Sequence, residues 1–153
     1  MKRVADSMRA FRAREDGSMV IETAIVLPVL CMLALGGFEA SAMVARSNEL
    51  QSAAAEAAGI VLASRPEDAA ARATIEDVVE ASTGLPESGV TLTTQYRCGT
   101  AAALVADKGS CGTDAMVSEF ITVAITDSYV PLWTKFGIGQ TVTYDYSRRV
   151  QVQ

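Results

Sequence analysis

The chain contains no histidine among its 153 residues. That removes imidazole acid–base catalysis, Ser-His-Asp and Cys-His nucleophiles, and every metal site that needs a ring nitrogen. Its three cysteines, Cys31, Cys98 and Cys111, are one short of an all-cysteine tetrahedral zinc site. Ser110, in the run Gly109-Ser110-Cys111-Gly112, has no histidine base to activate it. Gly137-Ile138-Gly139 lacks the third glycine and the parallel βαβ setting of a dinucleotide site, and reads as a turn. No catalytic constellation assembles from the residues present, so neither an enzyme nor a cofactor or metal is expected. A net charge of −5 also argues against nucleic acid as a partner. Two features remain. Cys98 and Cys111 flank a short glycine-containing loop, and Gly17 precedes Glu22 by five residues at the mouth of the most apolar stretch of the chain.

That stretch runs from Met19 to Ala45 and sits on a sharp charge boundary. Residues 1–17 carry five basic and three acidic side chains, whereas residues 18–153 carry eight basic and fifteen acidic ones. Thr23 to Phe38 is uncharged and is bracketed by Glu22 and Glu39. As a helix it covers roughly 24 Å, and the full apolar run covers roughly 40 Å, against about 30 Å of hydrocarbon. Both carboxylates then fall near bilayer boundaries, where charge costs less than at the centre. The basic cluster before the span orients the N-terminus to the cytoplasm and the rest of the chain to the far side. Three readings fit: an uncleaved signal anchor; a signal peptide cut after the small-x-small run Ala40-Ser41-Ala42; or a segment in which the Gly17–Glu22 spacing has its own use. The signal-peptide reading is disfavoured by the length of the run, by Pro28 inside it, and by a glutamate at its edge.

The junction Glu15-Asp16-Gly17-Ser18-Met19-Val20-Ile21-Glu22 resembles the type IV prepilin signal. The following Glu22-Thr23-Ala24-Ile25-Val26-Leu27-Pro28 and Leu35-Gly36-Gly37-Phe38-Glu39 are similar to the TadE-like proteins of tight-adherence (Flp) pilus systems. The resemblance is close over about residues 17–40 and general beyond. It implies that a prepilin peptidase cuts between Gly17 and Ser18, leaving Glu22 as the fifth mature residue. The carboxylate would then neutralise the new α-amino group of Ser18 on its own or a neighbouring helix. The plainer role for Glu22 is an interfacial carboxylate at the positive end of the helix. Thr23 stands where the major Flp pilins usually have Tyr, and the chain is far longer than those pilins. Both departures favour a minor pilin or pseudopilin acting in pilus assembly, and thereby in surface adhesion. The implied partners are the prepilin peptidase, a sibling minor pseudopilin, the pilus assembly platform and the membrane. The implied location is a bacterial inner membrane, single-pass, with the N-terminus cytoplasmic and the C-terminal domain periplasmic; entry into the finished fibre is left open. The competing reading is a signal-anchored or secreted periplasmic binding module unrelated to filaments.

The elements that carry these residues follow from the pattern. The expected organisation is a basic leader over 1–17, a transmembrane helix over 18–45 and an α+β domain over 46–153. Pro28 removes one backbone donor, so a helix kink is expected near Ala24–Pro28. Leu50, Ala54, Ala57 and Val61 recur at helical spacing, so the helix should continue to about Ala63 and stop at Ser64-Arg65-Pro66-Glu67. A second, shorter helix should open around Pro66, end near Ser82 before Gly84, and turn Ala71, Ile75, Val78 and Val79 inward. From Val90 the period becomes alternating. Strands are expected around Val90–Tyr96, Phe120–Thr126 and Gln140–Val152, making a three-stranded antiparallel sheet covered by the helices. Cys98 and Cys111, on the external side of a membrane, should form a disulfide; a redox-active pair is the alternative, without CxxC spacing. Of Tyr129, Trp133, Phe136, Tyr144 and Tyr146, most are expected in the core. Arg148 and Arg149 read as a solvated strand end.

Overall fold

The computed structural model describes residues 16–153, so all but the last two residues of the basic leader lie outside the described residues. The fold is α+β. Helix α1 spans Asp16–Ser64 and α2 spans Ala69–Thr83, followed by strands β1 (Val90–Cys98), β2 (Val117–Tyr129) and β3 (Val142–Gln151). The chain divides into two units, Met1–Ala42 and Met43–Gln153.

Within the first unit α1 is apolar on every side. From Met19 to Phe38 its large apolar side chains are between 45% and 73% exposed, the extremes being Val26 and Met32. Pro28 lies inside the helix, and the segment is long and apolar enough to cross a membrane. Glu22 is exposed, whereas Glu39 is buried at 2% exposure.

Within the second unit the helical period gives one buried stripe. Leu50, Ala53, Ala54, Ala57 and Val61 of α1 are all buried and join Ile75 and Val79 of α2 in a single core. Alanine at three of these five α1 positions keeps the stripe thin, so backbone and sheet can approach closely. The Val61 carbonyl accepts from Arg65 N–H as α1 ends, with Arg65 at φ 47°, in the left-handed region. The second helix opens later than its proline suggests. Pro66 is buried ahead of it, and Asp68 is the N-cap, its carboxylate accepting from Ala71 N–H at 2.7 Å. Gly84 closes α2 at φ 66°, and the N–H groups of Gly84 and Leu85 both reach the Glu80 carbonyl. Val78 is 54% exposed rather than inward, because the buried face of α2 is set by Ile75, Val79 and Thr83.

The sheet has the order β1-β2-β3, all antiparallel. Val90 pairs with Ile125, Leu92 with Val123 and Thr94 with Ile121, and Ile125 and Ile121 pair in turn with Tyr146 and Val150. Directly opposed residues share a face, so these positions and Tyr144 form the side turned to the core. β2 is much longer than its apolar run, Phe120–Thr126, because its first residues pair with β1 and its last residues with β3. The aromatics split: Tyr144 is buried, Tyr129 and Tyr146 pack against the core from its margin, and Phe136 is 80% exposed on the turn before β3.

Cys98, the last residue of β1, is disulfide-bonded to Cys111 with Cα atoms 5.3 Å apart. The bridge closes the base of a loop that folds back to make a two-way backbone bridge between Tyr96 and Val105. Closure across 13 residues limits the unfolded chain by about 3 kcal/mol. Replacing both Cys98 and Cys111 by serine should therefore lower the stability of this unit by about 2–4 kcal/mol, measured by urea unfolding, while leaving its strand content unchanged by circular dichroism.

Candidate functional site: an apolar helix and the polar anchor behind it

Apart from the disulfide pair Cys98 and Cys111, the residues singled out from the sequence lie on α1. Gly17 and Ser18 fall in its first turn, Glu22 one turn later, and Pro28 inside the helix. Around Glu22 the helix offers Met19, Val26, Leu27 and Leu30, with no basic side chain among these neighbours. Thr23 turns its hydroxyl back onto the helix, donating to the Met19 carbonyl at 2.8 Å, so it presents a methyl rather than a free polar group. Glu22 is thus an exposed carboxylate in an apolar surface, and among the described residues it makes no ion pair. Cys31 is a free thiol on the same exposed helix and does not share a site with the distant disulfide pair.

An exposed apolar surface of this extent is not a stable surface in water. A helix apolar on all sides needs lipid or other helices around it. Residues 19–38 accordingly offer a surface suited to packing.

Within the second unit lies a polar cluster that periodicity did not reveal. Arg46 is the first basic residue after the apolar run, and its guanidinium engages three elements. Nε donates to Asp127 Oδ2 of β2 at 2.7 Å, and Nη1 donates to Glu49 Oε2 of α1 at 3.0 Å and to the Thr83 carbonyl at the end of α2 at 2.9 Å. The Arg46 and Asp127 side chains are 22% and 17% exposed, so the pair is partly desolvated. Beside it, the Ser47 hydroxyl and the Tyr146 hydroxyl are 2.8 Å apart, and Tyr144 donates to the Met43 carbonyl at 3.1 Å. Burial pushes the Tyr144 phenol above its ordinary value; the charge of Asp127 and Tyr146 add to this, and Arg46 opposes it. The Tyr144 and Tyr146 rings stack with centroids 6.4 Å apart. In sequence, Asp127 was visible only as a carboxylate closing a Thr- and Ile-rich strand. Its partner lies 81 residues away, beyond the reach of any local pattern.

The model of the TadE-like protein family matches residues 17–59. The match begins at Gly17, takes in the whole apolar segment and Arg46, and ends within the buried alanine-rich stripe. No curated protein and no solved structure matches the chain.

The anchor has a measurable weight. Arg46→Met keeps the aliphatic stem but leaves Asp127 without its cation and the Thr83 carbonyl without its donor. A loss of about 1–3 kcal/mol is expected, below the value for a fully buried pair because both side chains retain some water. Arg46→Lys should recover only part of it, since an ammonium cannot span the same fork of acceptors. Urea unfolding followed by the fluorescence of Trp133 checks both.

Proposed function

We propose, from the match of residues 17–59 to the TadE-like protein model, that the chain is a minor pilin or pseudopilin of a tight-adherence pilus, made as an inner-membrane prepilin that supports pilus assembly and, through it, surface adhesion. The observation that carries this reading is the conjunction of a helix exposed and apolar on all sides with a glycine and a glutamate in its first two turns, all inside the family match. The helix crosses the membrane once, with the leader cytoplasmic and the α+β domain periplasmic. The prepilin peptidase cuts between Gly17 and Ser18. The partners are a sibling pseudopilin and the assembly platform. The chain acts by packing and carries no catalytic role of its own.

Processing supplies the electrostatic logic. Before the cut Ser18 contributes an amide; after it, an α-ammonium at the end of an apolar helix. Glu22 lies four residues further, which on a helix is the same face. It can neutralise the ammonium of its own chain or of a neighbour. Pro28 adds a point where the helix can flex between a bilayer and a packed bundle of helices. Gly36 and Gly37 offer a smooth patch, since a Cβ built on either meets nothing within 4 Å.

Co-expression with a prepilin peptidase should yield a product starting at Ser18, read by intact mass, and Gly17→Ala should slow that cut. An N-terminus at Met43 would instead identify a signal peptide, and an uncut chain a plain anchor. Glu22→Gln should leave insertion and cleavage in place but weaken co-purification of the mature protein with its sibling pseudopilin. The cost should fall at or below the roughly 3–5 kcal/mol of a fully buried unpaired charge, because Glu22 sits near a boundary. Glu39→Gln, far from the new amine, should affect that association less. Undiminished association with Glu22→Gln would refute the charge pairing.

A further inference from the structure

The two edges of the sheet are treated differently. On β1 the outward N–H groups of Val90 and Leu92 are taken by the carboxylates of Glu80 and Glu76 from α2, and Tyr96 is paired through both N–H and C=O with Val105. That edge is closed to a further strand. On β3 the alternation of the ladder turns the backbone groups of Thr143, Asp145, Ser147, Arg149 and Gln151 away from β2, and no strand lies beyond them among the described residues. All five residues are exposed. An open edge is a template for another strand, and charged residues on it decide which strand is accepted.

The charges on β3 are self-complementary. We propose that two copies of this chain associate through their β3 edges, antiparallel about a two-fold axis at Ser147, forming a continuous six-stranded sheet. In that register Ser147 faces Ser147 of the second copy, and Asp145 faces Arg149 of the second copy twice, once on each side of the axis. Thr143 faces Gln151. Each of these positions presents outward N–H and C=O groups, so the backbone pairing is complete. On the core side, Tyr146 faces Arg148 of the second copy and Val142 faces Val152, which gives each guanidinium an aromatic ring and each end an apolar pair. Moving the axis to Asp145 would oppose Asp to Asp, and moving it to Arg149 would oppose Arg to Arg. The interface is therefore isologous, and its register is set by charge. Arg149 is held over the same face by its Nε bond to Thr122 Oγ1 at 3.1 Å. This inference rests on the sheet alone and does not depend on the pilus reading.

The test uses the full chain in detergent, with Cys31→Ala to remove the free thiol. Opposed residues of a hydrogen-bonded pair lie about 5.5 Å apart at Cα, within disulfide range. Ser147→Cys should form a covalent dimer on mild oxidation, read by non-reducing gel and intact mass, whereas Thr91→Cys on β1 should not. In the Ser147→Cys background, Asp145→Arg or Arg149→Asp should each cut the dimer yield on the order of ten-fold, and the two together should restore it. Circular dichroism confirms that the variants are folded. Absence of the Ser147→Cys dimer, a yield indifferent to the single reversals, or a folded double reversal that stays monomeric would overturn the proposal.

Discussion

A guanidinium behind an apolar helix organises the C-terminal unit. The Arg46 side chain touches α1, the end of α2 and β2 at once. Hydrophobic burial is non-directional, and a stripe of three alanines, one leucine and one valine would tolerate some sliding of α1 across the sheet. The Arg46 fork does not tolerate it, because its acceptors are a side chain on β2 and a main-chain carbonyl at a helix end, each at a fixed place. The neighbouring Tyr144 and Tyr146 hydroxyls add two more contacts to the same turn of α1. The packing below supplies affinity, and the polar cluster sets the register. The lower part of the helix can then use small residues, since shape specificity has been provided elsewhere.

Much of this architecture was legible in the chain. The change from a 3.6-residue to a two-residue period around Val90 marks the passage from helix to sheet, and Leu50, Ala54, Ala57 and Val61 emerge buried at the positions the period assigns them. Gly84 in the left-handed region and the Cys98–Cys111 bridge also follow from residue type and place. Where local reasoning failed, a competing local force or a distant partner won. Pro66 fits a first helical turn, but the carboxylate of Asp68 caps α2 better and moves its start to Ala69. Val78 has the right hydrophobicity for the core but lies on the wrong side of a face fixed by Ile75 and Val79. Phe136 sits in a tight turn closed by Gly137 at φ 75°, and the turn geometry holds its ring outward. Arg46 with Asp127, and Glu76 and Glu80 with the edge of β1, are pairings across sequence that no window contains.

The division between α1 and the sheet also explains the charge asymmetry. The acidic excess beyond residue 17 is not spread as a uniform solvating skin. Glu76 and Glu80 spend their carboxylates on backbone N–H groups, Asp68 on a helix end, and Asp127 on Arg46. These acids cover donors that a three-stranded sheet and a short helix cannot satisfy on their own. A small unit with one core layer has more exposed ends and edges per residue than a large one. Carboxylates on adjoining elements are an economical way to close them.

The two glutamates that bracket the apolar segment differ in the same terms. They are separated by roughly 25 Å along an ideal helix, slightly less than the hydrocarbon thickness of a bilayer. Glu39 is 2% exposed and is not without a partner. Glu22 is exposed on a surface whose neighbours are Met19, Val26, Leu27 and Leu30, and among the described residues it makes no ion pair. Of the two carboxylates, only Glu22 has its electrostatic demand left for something outside the described structure to meet. A water layer could meet it at a bilayer boundary, but only while the helix stays at that depth. Packing the same surface against other apolar helices removes the water and turns the demand into a requirement for a cation close to the start of a helix. In the proposed assembly that requirement, more than the apolar surface itself, would make the start of α1 selective: any apolar helix can cover Leu27 and Leu30, but one that brings a positive charge to Glu22 does so without burying an unpaired carboxylate.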